Sequence, residues 1–301
     1  MPNPKSQKKP VPQEITELAE RYDRDPKAVL EVLKELDAQN GGLTSELITN
    51  AAHALGLPAN RAFAVASFYS MLSLKPRKNI VRVCDGPVCW LRHASESRPA
   101  IDSELGADSD WTVERTSCLG LCDRAPAALI NDEQAGPVFP ADAEKLQHGF
   151  RGTPTDYSQP RPGELRVMLA NAGKIDPDSI DSALEFGAYQ GLQQSLSLSP
   201  EEVVTVVENS GLSGRGGAGF PVGRKWRFVL QAAKTPKYIL CNADESEPLI
   251  FKDRVLIDVN PHQLLEGMAI AGFACGSNEG YIYIRGEYVS RAERLERAIH
   301  Q

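Results

Sequence analysis

The sequence predicts an α/β protein of two domains, the first led by a small helical bundle. Three observations carry that prediction. Helical hydrophobic spacing gives way to extended spacing at Lys75-Pro76; residues 149–163, GFRGTPTDYSQPRPG, are rich in Gly and Pro with few large apolar side chains; and capped helices alternate with short apolar strands beyond them. The chain of 301 residues is long enough for two domains, and 42% hydrophobic with 24% charged residues is an ordinary globular composition. The expected divisions are a disordered start at 1–13, a helical bundle at 14–74, an αβ domain at 75–148, a linker at 149–163 and a second αβ domain from 164 to 301.

Taken in order, Met1 to Gln13 holds three lysines and four prolines but no apolar segment, which fits a disordered start and excludes a secretory signal. Asp25-Pro26 followed by Val29, Val32, Leu33 and Leu36 predicts a helix with a capped, proline-led start, stopped by Gly41-Gly42. A second helix is expected from Ser45 to Leu55, and a third carries Phe63, Val65, Phe68, Tyr69 and Leu72. Ile80, Val81 and Val83 predict a strand running into Cys84. A helix is expected from Cys89 to about Leu105, then strands at Trp111–Thr116 and Ala127–Ile130. Ser199-Pro200-Glu201-Glu202 is a capping box whose apolar face is Val203, Val204, Val206 and Val207. Tyr238–Cys241 predicts a buried strand, followed by a helix at Pro261–Ala274, a strand at Tyr281–Arg285 and a last helix from Ser290.

The formal charge of −7 gives no attraction to phosphate backbones, and no basic stripe interleaves with aromatics, so nucleic acid is excluded as an expected partner. No apolar run approaches the roughly 20 residues of a membrane-spanning helix. The expectation is a soluble protein of a reducing compartment, the cytoplasm, where cysteines act as ligands or nucleophiles.

Four of the six cysteines form a pattern. Four residues separate Cys84 from Cys89 and three separate Cys118 from Cys122, both pairs in loops at strand ends. Four soft thiolates imply a metal centre. Structural zinc more often takes two-residue spacing within each pair, so an iron-sulfur cluster suits the spacing better, with zinc kept as the alternative. Cys241 and Cys275 have no paired spacing and read as small buried apolar residues.

The stretch GLSGRGGAGFPVGRKWRF, 211–228, places Gly214, Gly216 and Gly219 in a G-x-G-x-x-G arrangement that lets backbone N–H groups approach a phosphate. The capping box argues that a helix precedes it, against an ordinary Rossmann turn. Arg215, Arg224 and Lys225 surround the glycines, and Phe220, Trp226 and Phe228 add flat apolar surface suited to a ring. Asn242, Asp244, Glu245 and Glu247 follow the Tyr238 strand at its C-terminal end, where open αβ sheets bind ligands.

These motifs resemble a known family. GRGGAGF (214–220), Lys225-Trp226, NADESEP (242–248), FKDR (251–254) and YIYIRGEY (281–288) are similar to the NADH- and FMN-binding subunit of respiratory complex I. VASFYS (65–70), VRVC with Cys89, and CLGLCDRAP (118–126) resemble its small thioredoxin-like [2Fe-2S] subunit. The two joined in one chain resemble the diaphorase flavoprotein of NAD-reducing hydrogenases and of NAD-dependent formate dehydrogenases. The resemblance implies a thioredoxin-like [2Fe-2S] domain followed by the first part of an FMN/NADH-binding domain. It also implies hydride transfer between NAD(H) and FMN, then one-electron transfer to iron-sulfur clusters.

By that pattern Cys84, Cys89, Cys118 and Cys122 hold a [2Fe-2S] cluster. Gly214, Arg215, Gly216, Gly217, Gly219, Lys225, Asn242, Asp244 and Glu245 bind cofactor, Phe220 and Phe228 stack on the NADH adenine, and Glu247 lines the nucleotide site. Glu245 and Glu247 are the catalytic candidates. The implied partners are NAD(H) and the other subunits of a multi-subunit redox enzyme of complex I, hydrogenase or formate dehydrogenase type. Family members usually carry glycine after the proline of SEP, where this chain has Leu249. They also continue beyond YIYIRGEY, so the expectation is a C-terminally truncated chain. The alternative function is a non-catalytic interaction or assembly protein that keeps a [2Fe-2S] or zinc site for stability.

Overall fold

The computed structural model describes residues 10–75, 77–108 and 110–301. The expected disordered start falls mostly on residues 1–9, outside the described residues, as does Pro76 of the period switch. The chain separates into two compact units. One comprises the described residues up to Ser117 together with Pro126–Arg151; the other comprises Cys118–Ala125 and Gly152–Gln301.

The first unit begins with four helices, α1 (Gln13–Arg21), α2 (Val29–Asn40), α3 (Ser45–Ala54) and α4 (Ala59–Phe68). Asp25 accepts from Lys27 N ahead of α2, and Gly41 ends that helix in the left-handed region at φ 64°. Thr44 caps α3 through Leu47 N. The buried faces Val32, Leu33 and Leu36 meet Ile48, Ala51 and Leu55 in one core. Apolar side chains at helical spacing bury against each other because that removes the most hydrocarbon from water per turn.

The same unit continues with β1 (Asn79–Cys84), α5 (Pro87–Leu91), α6 (Ala94–Leu105), β2 (Trp111–Thr116), β3 (Ala128–Ile130) and β4 (Glu133–Ala135). The sheet order is β2-β1-β3-β4, with β1 parallel to β2 and antiparallel to β3. Arg82 on β1 is buried and donates to the Ser70 and Met71 carbonyls at 3.0 and 2.8 Å, tying the sheet to the segment after α4. A side chain of that length is stable inside because its guanidinium is hydrogen-bonded.

The helix expected from Cys89 to Leu105 is two helices. His93 adopts φ 64° between α5 and α6 and turns the chain. Inward positions continue across the break through Cys89, Ala94, Ser97 and Ile101, so hydrophobic spacing does not reveal it.

The second unit contains α7 (Ile180–Glu185), α8 (Gln190–Leu196), α9 (Pro200–Asn209), α10 (Val222–Gln231), β5 (Tyr238–Ala243), α11 (Lys252–Val259), α12 (Pro261–Cys275), β6 (Glu279–Ile284) and α13 (Val289–His300). The Ser199–Glu202 capping box forms as expected and starts α9. The helices α7, α8, α10 and α11 lie outside the expected elements. The α10 segment begins within the stretch 211–228 read as a glycine-rich loop, although Val222, Trp226, Val229 and Leu230 recur there at helical spacing. Gly223 allows α10 to lie directly on α9, since a Cβ there would overlap the Glu208 backbone. The strands β5 and β6 pair in parallel, Leu240 opposite Tyr281, and one face packs Cys241, Ala243, Ile282 and Ile284 with Ile257 and Leu295. Among the described residues no helix is long and apolar enough to cross a membrane.

Candidate cofactor sites

The glycine-rich stretch closes on itself at the head of α10. Gly214 N donates to Phe220 O at 2.8 Å, Val222 N donates to Leu212 O at 2.9 Å, and Ser213 bridges Pro221. Gly217 and Gly219 hold φ values of 107° and 64°, which favour glycine. Gly216, Gly217 and Gly219 have nothing within 4 Å of the place a Cβ would take, so their backbone faces open space. Arg215 sits among them, and the chain then enters the positive N-terminal end of α10.

Lys225 and Trp226 on α10 line a cavity of about 560 Å³ together with β5, α11 and α12. Asn242 is on its wall. Its volume and mostly apolar lining with a few polar groups are those of a small-molecule site. Phe220 and Phe228, both exposed, lie with ring centroids 6.5 Å apart, and the Arg224 guanidinium is 5.7 Å from the Phe228 ring.

At the end of β5, Asn242 Oδ1 accepts from Asp244 N at 3.1 Å, an Asx turn that swings the chain away from the sheet. Glu245 follows at φ 48° and is only 4% exposed. Its carboxylate accepts from Asp253 N and Arg254 N at 2.5 and 2.9 Å, satisfying the first amides of α11, and from the Tyr288 hydroxyl at 3.2 Å. Glu247 is exposed two residues further on. The structure therefore turns the two acidic candidates in different directions, Glu245 into the protein and Glu247 out of it.

Around Glu245 lie residues to which spacing along the chain assigns no role. Arg285 donates to Glu245 O at 2.9 Å and to Cys118 O, and pairs with Glu287 at 2.9 Å. Arg254, 2% exposed, pairs with Asp123 at 2.6 Å, and Tyr157 donates to the same carboxylate at 2.9 Å. Burial alone would raise the Asp123 carboxyl, but the Arg254 charge and these hydrogen bonds outweigh it and hold the group below the usual range. Burial and then the Glu245 charge push the Tyr288 phenol well above its ordinary value. The motifs FKDR and YIYIRGEY carry Arg254, Arg285 and Tyr288, and they are the signal that could have pointed to these residues.

The cysteine quartet divides between the units. Cys84 ends β1 and Cys89 lies in α5, both buried, in the first unit. In the second unit the Cys118 and Cys122 sulfurs stand 3.6 Å apart. A tetrahedral metal with metal–sulfur bonds of about 2.3 Å sets its sulfurs at about 3.8 Å, so this pair fits one metal ion. Leu249 N donates to Cys122 Sγ at 3.3 Å. Burial pushes the Cys122 thiol up to about 11, and the Leu249 N–H opposes that push. No three His, Cys, Asp or Glu side chains among the described residues gather closely enough to hold a metal ion as they stand.

Comparison with known proteins identifies both parts. Residues 15–151 match the thioredoxin-like [2Fe-2S] ferredoxin family, and residues 207–301 match the Nuo51 FMN-binding domain. The chain thus joins a thioredoxin-like [2Fe-2S] ferredoxin domain to an FMN-binding domain of the Nuo51 family. It is 50% identical over 137 residues to a subunit of the NADH-quinone oxidoreductase of Aquifex aeolicus, covering 46% of this chain and 32% of that protein. It is 31% identical to the HoxS subunit alpha of the NAD-reducing hydrogenase of Cupriavidus necator, covering 95% of this chain and 50% of that one. The solved structure of an air-oxidised NAD+-reducing [NiFe]-hydrogenase superposes with a TM-score of 0.69 at 28% identity, over 92% of this chain and 49% of the other. The chain spans half or less of the length of these relatives.

Proposed function

We propose that the chain is the NAD(H)-oxidising part of a multi-subunit redox enzyme, in which a hydride passes between NAD(H) and FMN and electrons leave singly through a [2Fe-2S] cluster. The observation that carries this reading is the closure of the glycine loop ahead of α10, which leaves its backbone open, with Lys225 of α10 and Asn242 of β5 on the wall of the 560 Å³ cavity. When bound, FMN supplies the exchange between two-electron and one-electron chemistry.

The residues divide that work. Gly214, Gly216, Gly217 and Gly219 let amides approach a phosphate, with Arg215 and Lys225 adding charge. Asn242 and Asp244 hydrogen-bond polyol hydroxyls at the strand end. Phe220 and Phe228 hold the adenine, and Glu247, exposed on the turn, contacts the nucleotide. Glu245 is a positioning residue, because its carboxylate is taken by the α11 amides and Tyr288. Cys84, Cys89, Cys118 and Cys122 hold the cluster; four thiols and the 3.6 Å pair of Cys118 and Cys122 suit iron. The partners are further subunits of complex I, hydrogenase or formate dehydrogenase type, and the location is cytoplasmic.

The test is the absorption spectrum of protein purified without oxygen and supplied with FMN. Flavin peaks with broad iron-sulfur bands, bleached by NADH, support the proposal. A colourless protein carrying one zinc per chain overturns it in favour of the non-catalytic alternative.

A further inference from the structure

We propose that the Leu249 backbone N–H sets the reduction potential of the cluster by hydrogen-bonding to Cys122, which makes the NADESEP turn of the flavin-binding part a contributor to the iron-sulfur site. The inference rests on the [2Fe-2S] reading above and deepens it.

Leu249 has φ 75°, in the left-handed region, where a side chain is strained and glycine is favoured. Its side chain is 64% exposed, so no apolar burial holds it in that conformation. What the conformation delivers is the amide: Leu249 N lies 3.3 Å from Cys122 Sγ. A strained residue persists where its surroundings over-determine it, and they do so here from both sides. The turn is closed by Ile250 N on Glu247 O at 3.2 Å, and its start is anchored through Glu245 to the first amides of α11. The sulfur's own segment is pinned by the same neighbourhood, through Arg254 on Asp123 and Arg285 on Cys118 O.

The direction of the effect follows from charge. The reduced cluster carries one more electron than the oxidised one, and that negative charge is shared with the cysteine sulfurs. An N–H aimed at a sulfur stabilises the more negative state, and hydrogen bonds to sulfur are among the features that set cluster potentials. Because the donor is a backbone group, the side chain at 249 is free to vary as long as the turn is kept.

The experiment is a dithionite titration of the cluster followed by EPR in three proteins: the unaltered chain, a chain whose residue 249 amide is replaced by an ester through an α-hydroxy acid, and Leu249→Gly. The ester protein should show a lower midpoint potential at unchanged cluster content, and Leu249→Gly, which keeps the N–H, should titrate like the unaltered chain. In protein labelled with 15N-leucine, pulsed EPR of the reduced cluster should show one 15N coupling that Leu249→Gly removes, while those of Leu119 and Leu121, beside the cysteines, remain in both proteins. The labelling measurement does not depend on the ester protein folding. A cluster present with unshifted potential, or the same set of 15N couplings in the unaltered chain and in Leu249→Gly, overturns this inference while leaving the proposed function intact. Absence of any iron-sulfur signal in the unaltered chain overturns both.

Discussion

The Tyr288 hydroxyl donates to Oε2 of Glu245 at 3.2 Å, and both residues are buried. The same hydroxyl fills the space beside Gly120, whose φ of 71° and lack of a Cβ are both required there. One phenol therefore connects the CLGLC segment to the NADESEP turn.

Replacing Gly120 by alanine places a methyl group on the Tyr288 ring and strains a left-handed residue, so a loss of roughly 2 kcal/mol is expected. Tyr288→Phe alone should cost about 1 kcal/mol for the lost hydrogen bond. The double variant should lose less than the sum of the two single losses, because removing the hydroxyl removes the nearest clashing atom. Urea denaturation of the four proteins measures this; strict additivity would contradict the contact.

Asp123→Ala should be among the most damaging single changes in the second unit. It leaves the Arg254 guanidinium, 2% exposed, without its 2.6 Å partner, and breaking one side of a buried pair costs roughly 3 kcal/mol. Asp123→Ala paired with Arg254→Met should recover part of that loss. Equal instability of the single and double variants in thermal melts would argue against a buried pair.

Lys225→Met should weaken FMN binding without unfolding the chain, since Lys225 is exposed on α10 and its aliphatic stem is matched in length by methionine. A charged hydrogen bond to phosphate is worth about 1.5–3 kcal/mol, a tenfold to hundredfold loss of affinity. Quenching of flavin fluorescence on titration reports it. Riboflavin, which lacks the phosphate, should bind both proteins alike.

Acid should loosen the last helix. Asp178 accepts from Arg294 and Arg297 of α13, and those two hydrogen bonds, exceeding the opposing effect of burial, lower its carboxyl below the ordinary value. A depressed carboxyl contributes stability at pH above its unfolded value of about 3.9, and the contribution disappears as pH falls through the lower, folded value. Asp178→Asn should thus be less stable than the unaltered chain at pH 6, and the gap should close below about pH 4. A gap independent of pH in urea midpoints would refute the assignment.

Much of the local structure is legible in the sequence because it depends on neighbours in the chain. The Ser199–Glu202 box, the Gly41 stop and the β1 strand are consequences of short-range geometry and patterning. The seat of α10 is not, since it is set by a partner, here α9 across Gly223. The break at His93 is hidden for a related reason: the inward spacing of α5 and α6 runs on through it.

The candidate site divides along the same line. Residue type and spacing establish which chemistry is available: four thiols in two pairs, a glycine loop flanked by cations, and an acidic turn at a strand end. What each of those groups faces is a matter of folding. The folded chain turns Glu245 inward to cap α11, makes Arg254, Arg285 and Tyr288 the supports of the CLGLC segment, and aims the Leu249 amide at Cys122. Those relations join residues more than a hundred positions apart or hang on a single backbone torsion. Packing of distant segments sets them, and hydrophobic spacing along the chain does not encode it.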